Sequence, residues 1–94
     1  MNNYLLPPDP RVVIFGLRSR ITADEVRPLL GRWAEADLEI EVVVVSEIAD
    51  DAMAIVRLHE VYPEVAWRLA QRVDRRHHDG RRLRSWIPVM AWRR

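Results

Sequence analysis

Apolar residues recur along this chain with two different periods. From Arg11 to Leu17 they follow the two-residue period of a strand, with Val12 and Ile14 on one face and Val13 and Phe15 on the other. Gly16 marks its end. Thr22-Ala23-Asp24-Glu25 has the form of a capping box, in which the Thr22 hydroxyl accepts from the Glu25 N–H and Glu25 reaches back. Val26, Leu29, Leu30 and Trp33 come next at helical spacing. Pro28 removes a backbone donor, so this helix is either kinked there or regular only from Pro28 onward, and Gly31 weakens it further. Leu38–Val45 alternates again: Leu38, Ile40, Val42 and Val44 form one face, Glu39, Glu41, Val43 and Val45 the other, with the β-branched content of a strand. Glu47–Asp51 predicts a turn and Ala52–Leu58 a third strand. Pro63 suits a first helical turn and opens a second helix with Tyr62, Ala66, Leu69 and Val73 as its buried stripe and Arg68, Arg72 and Arg75 mostly off it. Asp79-Gly80 is a turn signal. Leu83–Val89 predicts the last strand, with Pro88 near its end marking an edge or a terminus.

The element order β-α-β-β-α-β within roughly 80 residues is the split βαβ arrangement. It predicts an α+β, ferredoxin-like sandwich: a four-stranded antiparallel sheet, strand order 4-1-3-2, with two helices on one face. The expected core is Val12, Ile14, Leu17, Val26, Leu30, Leu38, Ile40, Val42, Ala54, Val56, Leu58, Ala66, Leu69, Val73 and Leu83. One domain over residues 11–90 is expected, preceded by an arm (1–10) that closes on Pro7-Pro8-Asp9-Pro10 and succeeded by a tail (91–94). The arm contains the apolar Tyr4-Leu5-Leu6, and Met90-Ala91-Trp92 is apolar at the other end. No internal repeat is present.

Composition narrows the chemistry. Ninety-four residues make one small domain with a modest core. There is no cysteine, which excludes disulfides and thiolate–metal sites. No apolar run, Val42–Val45 and Ala52–Val56 included, is long enough for a membrane span, and Met1-Asn2-Asn3-Tyr4 has no basic n-region of a secretory signal. A soluble, cytoplasmic protein is expected. The net charge of +1 hides an asymmetry. Seven acids and no base lie between Glu35 and Asp51, whereas Trp67–Arg94 holds nine arginines against Asp74 and Asp79. All fifteen basic residues are arginine, a side chain suited to bidentate phosphate or carboxylate contacts.

Three stretches together resemble the RNA-recognition motif family over about Arg11 to Met90. Val12-Val13-Ile14-Phe15-Gly16-Leu17 occupies the first-strand motif. Ala54-Ile55-Val56-Arg57-Leu58 with Pro63-Glu64-Val65-Ala66 after it resembles the family's third strand running into its second helix, and Gly80-Arg81-Arg82-Leu83-Arg84 resembles the lead into its fourth strand. The resemblance implies single-stranded RNA binding on the sheet face, by base stacking and phosphate contacts. The family's three stacking positions fall here on Val13, Met53 and Ile55, none aromatic. The basic residue opening its third-strand motif falls on Asp51 and the glycine after it on Ala52.

By alternation the sheet face opposite the helices should carry Val13, Phe15, Val43, Val45, Met53, Ile55, Arg57, Arg84 and Trp86. Two functions are expected of such a surface. One is RNA binding without an enzymatic step, through Val13, Phe15, Met53, Ile55, Arg57, Arg81, Arg82, Arg84 and Trp86. The other is docking of a protein partner or a second copy on the apolar face, since large apolar patches mark interfaces; the arm or the tail is a further candidate covering. No cofactor, small-molecule substrate or membrane contact is expected. His77-His78-Asp79 lacks the converging ligands of a metal site; no Ser-centred elbow or phosphate-cradling glycine loop is present; and Gly16-Leu17-Arg18-Ser19-Arg20 has one glycine where an acylphosphatase-like anion loop needs several.

Overall fold

A computed structural model describes residues 10–59 and 61–88. β1 is Arg11–Leu17, β2 Leu38–Ser46 and β3 Asp51–Leu58; β3 is antiparallel to both β1 and β2. α1 (Ala23–Val26) passes directly into a 3₁₀ segment, Arg27–Glu35, and α2 is Pro63–Val73. Three short strands come after it: β4 (His77–His78), β5 (Arg81–Arg82) and β6 (Arg84–Trp86). The main sheet runs β2-β3-β1-β6, and β4 and β5 form a separate two-stranded ribbon. The chain is therefore α+β with a four-stranded antiparallel sheet and two helices. It does not have the expected simple βαββαβ order. In place of the single final strand expected over Leu83–Val89, the described residues after α2 form three, of which only β6 falls within that span, and β6 occupies the edge beside β1.

The Asp79-Gly80 signal accounts for the extra ribbon. Both residues have positive φ, 56° and 78°, and they join β4 to β5 with His78 opposite Arg81. Two positive-φ residues at a two-residue loop are the hairpin geometry that Asp-Gly favours. Leu83, fully buried, anchors the ribbon to the core, and its N–H donates to the Arg76 carbonyl at 2.7 Å.

The capping box at Thr22 is present: the Glu25 N–H donates to Thr22 Oγ1 (3.2 Å) and the Thr22 N–H to Glu25 Oε1 (2.9 Å). The helix it starts is one turn long. Pro28 has no N–H for the next helical bond, and Gly31 leaves helical geometry altogether (φ 64°, ψ −128°). Val26 and Leu30 are nevertheless buried, with Leu29 and Trp33 packed against the same core. In α2 the buried stripe is Ala66, Leu69, Ala70 and Val73. Tyr62, expected to join that stripe, is instead the residue before the helix, extended in backbone and 78% exposed.

The core lies between the helices and one face of the sheet, built from Val12, Ile14, Leu38, Ala52, Ala54, Val56 and Leu58 below and Val26, Leu30, Ala66, Leu69 and Val73 above. Ile40 and Val42 pack at its margin because β2 is an edge strand. Among the described residues no polar or charged residue is buried and no buried side-chain polar atom lacks a partner. No helix among them is long and apolar enough to cross a membrane. The arm's Tyr4–Leu6 and the tail's Met90–Trp92 fall outside the described residues.

Candidate nucleic-acid interface

Strand register sets which side chains share the open face. Phe15 stands opposite Met53 on one side and Arg84 on the other, and Met53 opposite Val43. This makes one row across the sheet: Arg84, Phe15, Met53, Val43. The adjacent row is Trp86, Val13, Ile55, Glu41. A third places Arg11 opposite Arg57 and Arg57 opposite Glu39. Cross-strand neighbours of this kind lie about 5 Å apart, within side-chain contact.

The three positions matching the family's stacking residues lie in the middle of these rows. Val13 is only 6% exposed, and Met53 and Ile55 are half-buried. They supply an aliphatic floor. The exposed aromatic surface lies toward β6: Phe15 is 37% and Trp86 53% exposed, diagonal to one another across β1 and β6, with Arg84 beside Phe15. Val45 lies at a register shift near the end of β2, where the alternation along the strand is interrupted.

Charge divides the same face. Arg84 and Arg57 each have one acidic neighbour, Asp74 and Glu39, both at 3.9 Å. Exposed ion pairs at that separation contribute little, so both guanidiniums remain able to contact an anion. Arg11 adds a third cation on the β1 side of Arg57; it is absent from the residues expected at the site, although the alternation Arg11-Val13-Phe15 carries the signal for it. Toward β2 the face turns acidic through Glu39 and Glu41, and His59 Nε2 lies 3.1 Å from Glu39 Oε2.

Two of the nine expected site residues stand elsewhere. Arg82 is on the β4–β5 ribbon, opposite His77 and exposed. Arg81 is committed to a polar cluster at one end of the sheet: its guanidinium donates to the Leu17 carbonyl (3.1 Å) and lies 3.6 Å from Asp50. Arg18 bridges Asp50 and Asp79, each at 2.6 Å, and the Ser19 N–H and hydroxyl both donate to Asp50 (2.9 and 3.0 Å). The Ser19 N–H, foremost, with the Ser19 hydroxyl and Arg18, holds the Asp50 carboxyl below its usual range, and Asp50 and Asp79 raise the Arg18 guanidinium. This cluster ties the β1–α1 loop, the β2–β3 turn and the β4–β5 turn together.

No protein-family model matches the chain, and no curated protein matches it. Among the described residues no group of three or more His, Asp or Glu side chains is placed to hold a metal ion.

Proposed function

We propose that this chain is a ferredoxin-like, RRM-type module that binds single-stranded RNA with the β6–β1 half of its open face. One observation carries the reading: Phe15, Arg84 and Trp86 are exposed neighbours on that half, two flat aromatic surfaces beside a cation. Base–aromatic stacking contributes about 1–3 kcal/mol per base and tolerates any base. Arg84, Arg57 and Arg11 take the phosphates. Glu39 and Glu41 repel phosphate from the β2 side, so the strand runs along β1 and β6 instead of crossing the whole sheet. Bound length is short, and affinity rests on a few contacts. No bond is made or broken. A cytoplasmic location goes with this reading.

A titration of fluorescently labelled, mixed-sequence single-stranded RNA tests this by anisotropy. Phe15→Ala and Trp86→Ala should each weaken binding by about 1–3 kcal/mol, and Arg84→Glu should abolish it. Saturable binding untouched by all three variants would overturn the proposal.

A second reading has its own observation. Val45 and Ile48 are exposed at the β2–β3 end, beyond the aliphatic floor of Val13, Met53 and Ile55. That surface suits a protein partner or a second copy. Under this reading Ile55→Asp abolishes association and Arg84→Glu leaves it unchanged.

A further inference from the structure

The two edges of the main sheet differ. β6 has three residues, and its Ser85 N–H donates to Asp74 at 2.9 Å. β2, the other edge, has nine residues and is the longest strand among the described residues, where it pairs only with β3. In an antiparallel ladder every second residue of an edge strand turns its N–H and C=O away from the sheet. On β2 those groups run along a strand that contains no Pro, Lys or Arg, residues that ordinarily keep foreign strands away.

The apolar layer is also unfinished on this side. Leu38, Ile40, Val42 and Val44 stand opposite Leu58, Val56, Ala54 and Ala52, all four of which are fully buried in the core beneath the helices. Leu38 is nearly buried too. Ile40 and Val42 are only partly covered, and Val44 is 43% exposed. Whatever covers the rest of these three side chains lies beyond the edge, in the plane of the sheet.

A second copy of β2 fits that place. The pairing with β3 is regular over residues 38–44 and shifts register after them. Antiparallel pairing of this stretch with itself, about a two-fold axis, keeps the helix-facing residues of both copies on one side when the axis passes through a residue. Charge then selects the residue. An axis at Ile40 sets Glu39 against Glu41, and an axis at Glu41 sets that carboxylate against its own copy; like charges directly opposite are destabilising. An axis at Val43 leaves only three regular residues in register. An axis at Val42 sets Glu41 against Val43, Ile40 against Val44 and Val42 against itself. It has no like-charge pair directly opposite, and it joins the partly covered Ile40, Val42 and Val44 of both copies into one apolar row.

We propose that β2 is the interface of a two-fold dimer, in which two copies of this chain pair their β2 strands antiparallel about Val42 and merge two four-stranded sheets into one of eight strands. Each copy spends its own β2 edge, so the isologous contact closes at two chains. The dimer takes none of the residues that the RNA reading assigns to base or phosphate, which lie on β1, β3 and β6. It differs from docking over Met53 and Ile55 because it leaves the open face uncovered.

Sedimentation equilibrium of the whole chain, with NMR of a mixture of labelled and unlabelled chains, tests it. The expected mass at high protein concentration is near twice the 11.1 kDa of one chain. Expected in the mixture are NOEs between Ile40 of one chain and Val44 of the other; within one strand these residues are about 13 Å apart, too far for an NOE. Val44→Lys, at a partly exposed position, should raise the dissociation constant roughly tenfold, since the two-fold axis counts the lost Ile40–Val44 pair twice. Its far-UV circular dichroism should match the parent's; the NOEs of the parent need no variant. A monomer mass at every concentration overturns the proposal, including one with slowly exchanging outward β2 amides, which would mean that the chain covers its own edge. A dimer whose interchain NOEs join Phe15, Met53 and Ile55 overturns it equally, in favour of the open face.

Discussion

Two glycines show how much a single residue decides. Gly16 has φ 96° at the register shift in β1, where an added Cβ would stand 2.9 Å from the Arg82 carbonyl oxygen. Gly31 has φ 64°, and a Cβ there would meet the guanidinium of Arg72. Both positions strain any other residue, at about 1–3 kcal/mol. The obstacles differ: at Gly16 it is backbone, which cannot move aside, and at Gly31 the far end of a flexible exposed side chain. Gly16→Ala should therefore lower the chemical-denaturation midpoint more than Gly31→Ala, and the reverse order would show that β1 is free to move away from β5. Asp50 adds to the acid sensitivity of the fold. Its native carboxyl lies below its unfolded value of about 3.9, so its contribution is fully present above that value and is lost as pH falls through the native one. Asp50→Asn keeps an oxygen for Ser19 and tolerates the positive φ. Thermal melts of this variant should show a flatter loss of stability below about pH 4 than the parent.

At the scale of elements, the weakest attachment is β6. It has three residues, pairs only with β1, and would present a bare outer edge. Asp74, just past the end of α2, takes the outward Ser85 N–H, and Ser85 in turn holds the last turn of the helix through the Ala70 carbonyl. A charged acceptor on an edge amide blocks pairing with foreign strands and fixes Trp86 and Arg84 in register on the open face. Asp74→Ala should speed exchange of the Ser85 amide at least roughly tenfold while β1 and β3 amides stay protected; equal exchange in both proteins would mean that β1 alone holds β6. The capping box is a second element-scale device. Thr22→Ala should cost about 1 kcal/mol in urea denaturation, the usual value of an N-cap side chain, because the one-turn α1 has little helical length of its own to sustain it.

At the scale of the whole molecule, the RNA binding proposed above turns on charge separation. Three arginines, Arg11, Arg57 and Arg84, stand on or beside the aromatic half, and acids occupy the β2 half. Single-strand binding through about three phosphates implies a slope of log affinity against log salt near roughly −2. Arg57→Ala should flatten that slope by roughly 0.7 while leaving the effect of Trp86→Ala intact, since the two act on phosphate and base separately. A slope steeper than about −5 would mean that Arg82 and the helix-side arginines carry binding instead, as nonspecific attraction.

Residue patterns by themselves determined the strands β1 to β3, the capping box, the start of α2, the Asp-Gly turn and most of the core, because side-chain period and local backbone chemistry act over a few neighbours. Ala52 and Ala70 join the core without being legible in the pattern, since small residues carry no periodic weight of their own. Local pattern leaves the rest open. Spacing reads Leu83–Val89 as a single strand, yet the Asp79-Gly80 turn folds the chain back on His77–His78 before β6 begins, and only the buried Leu83 shows where the ribbon ends. Arg81 and Arg82 have the look of ligand-binding cations in the sequence; tertiary structure commits Arg81 to Leu17 and Asp50 and carries Arg82 off the sheet. It also decides that Val13 is nearly buried while Trp67 and Trp86 are not, since exposure depends on which strand borders the edge and which helix stops short of it. Those are contacts between segments far apart in the chain, and no spacing within a segment encodes them.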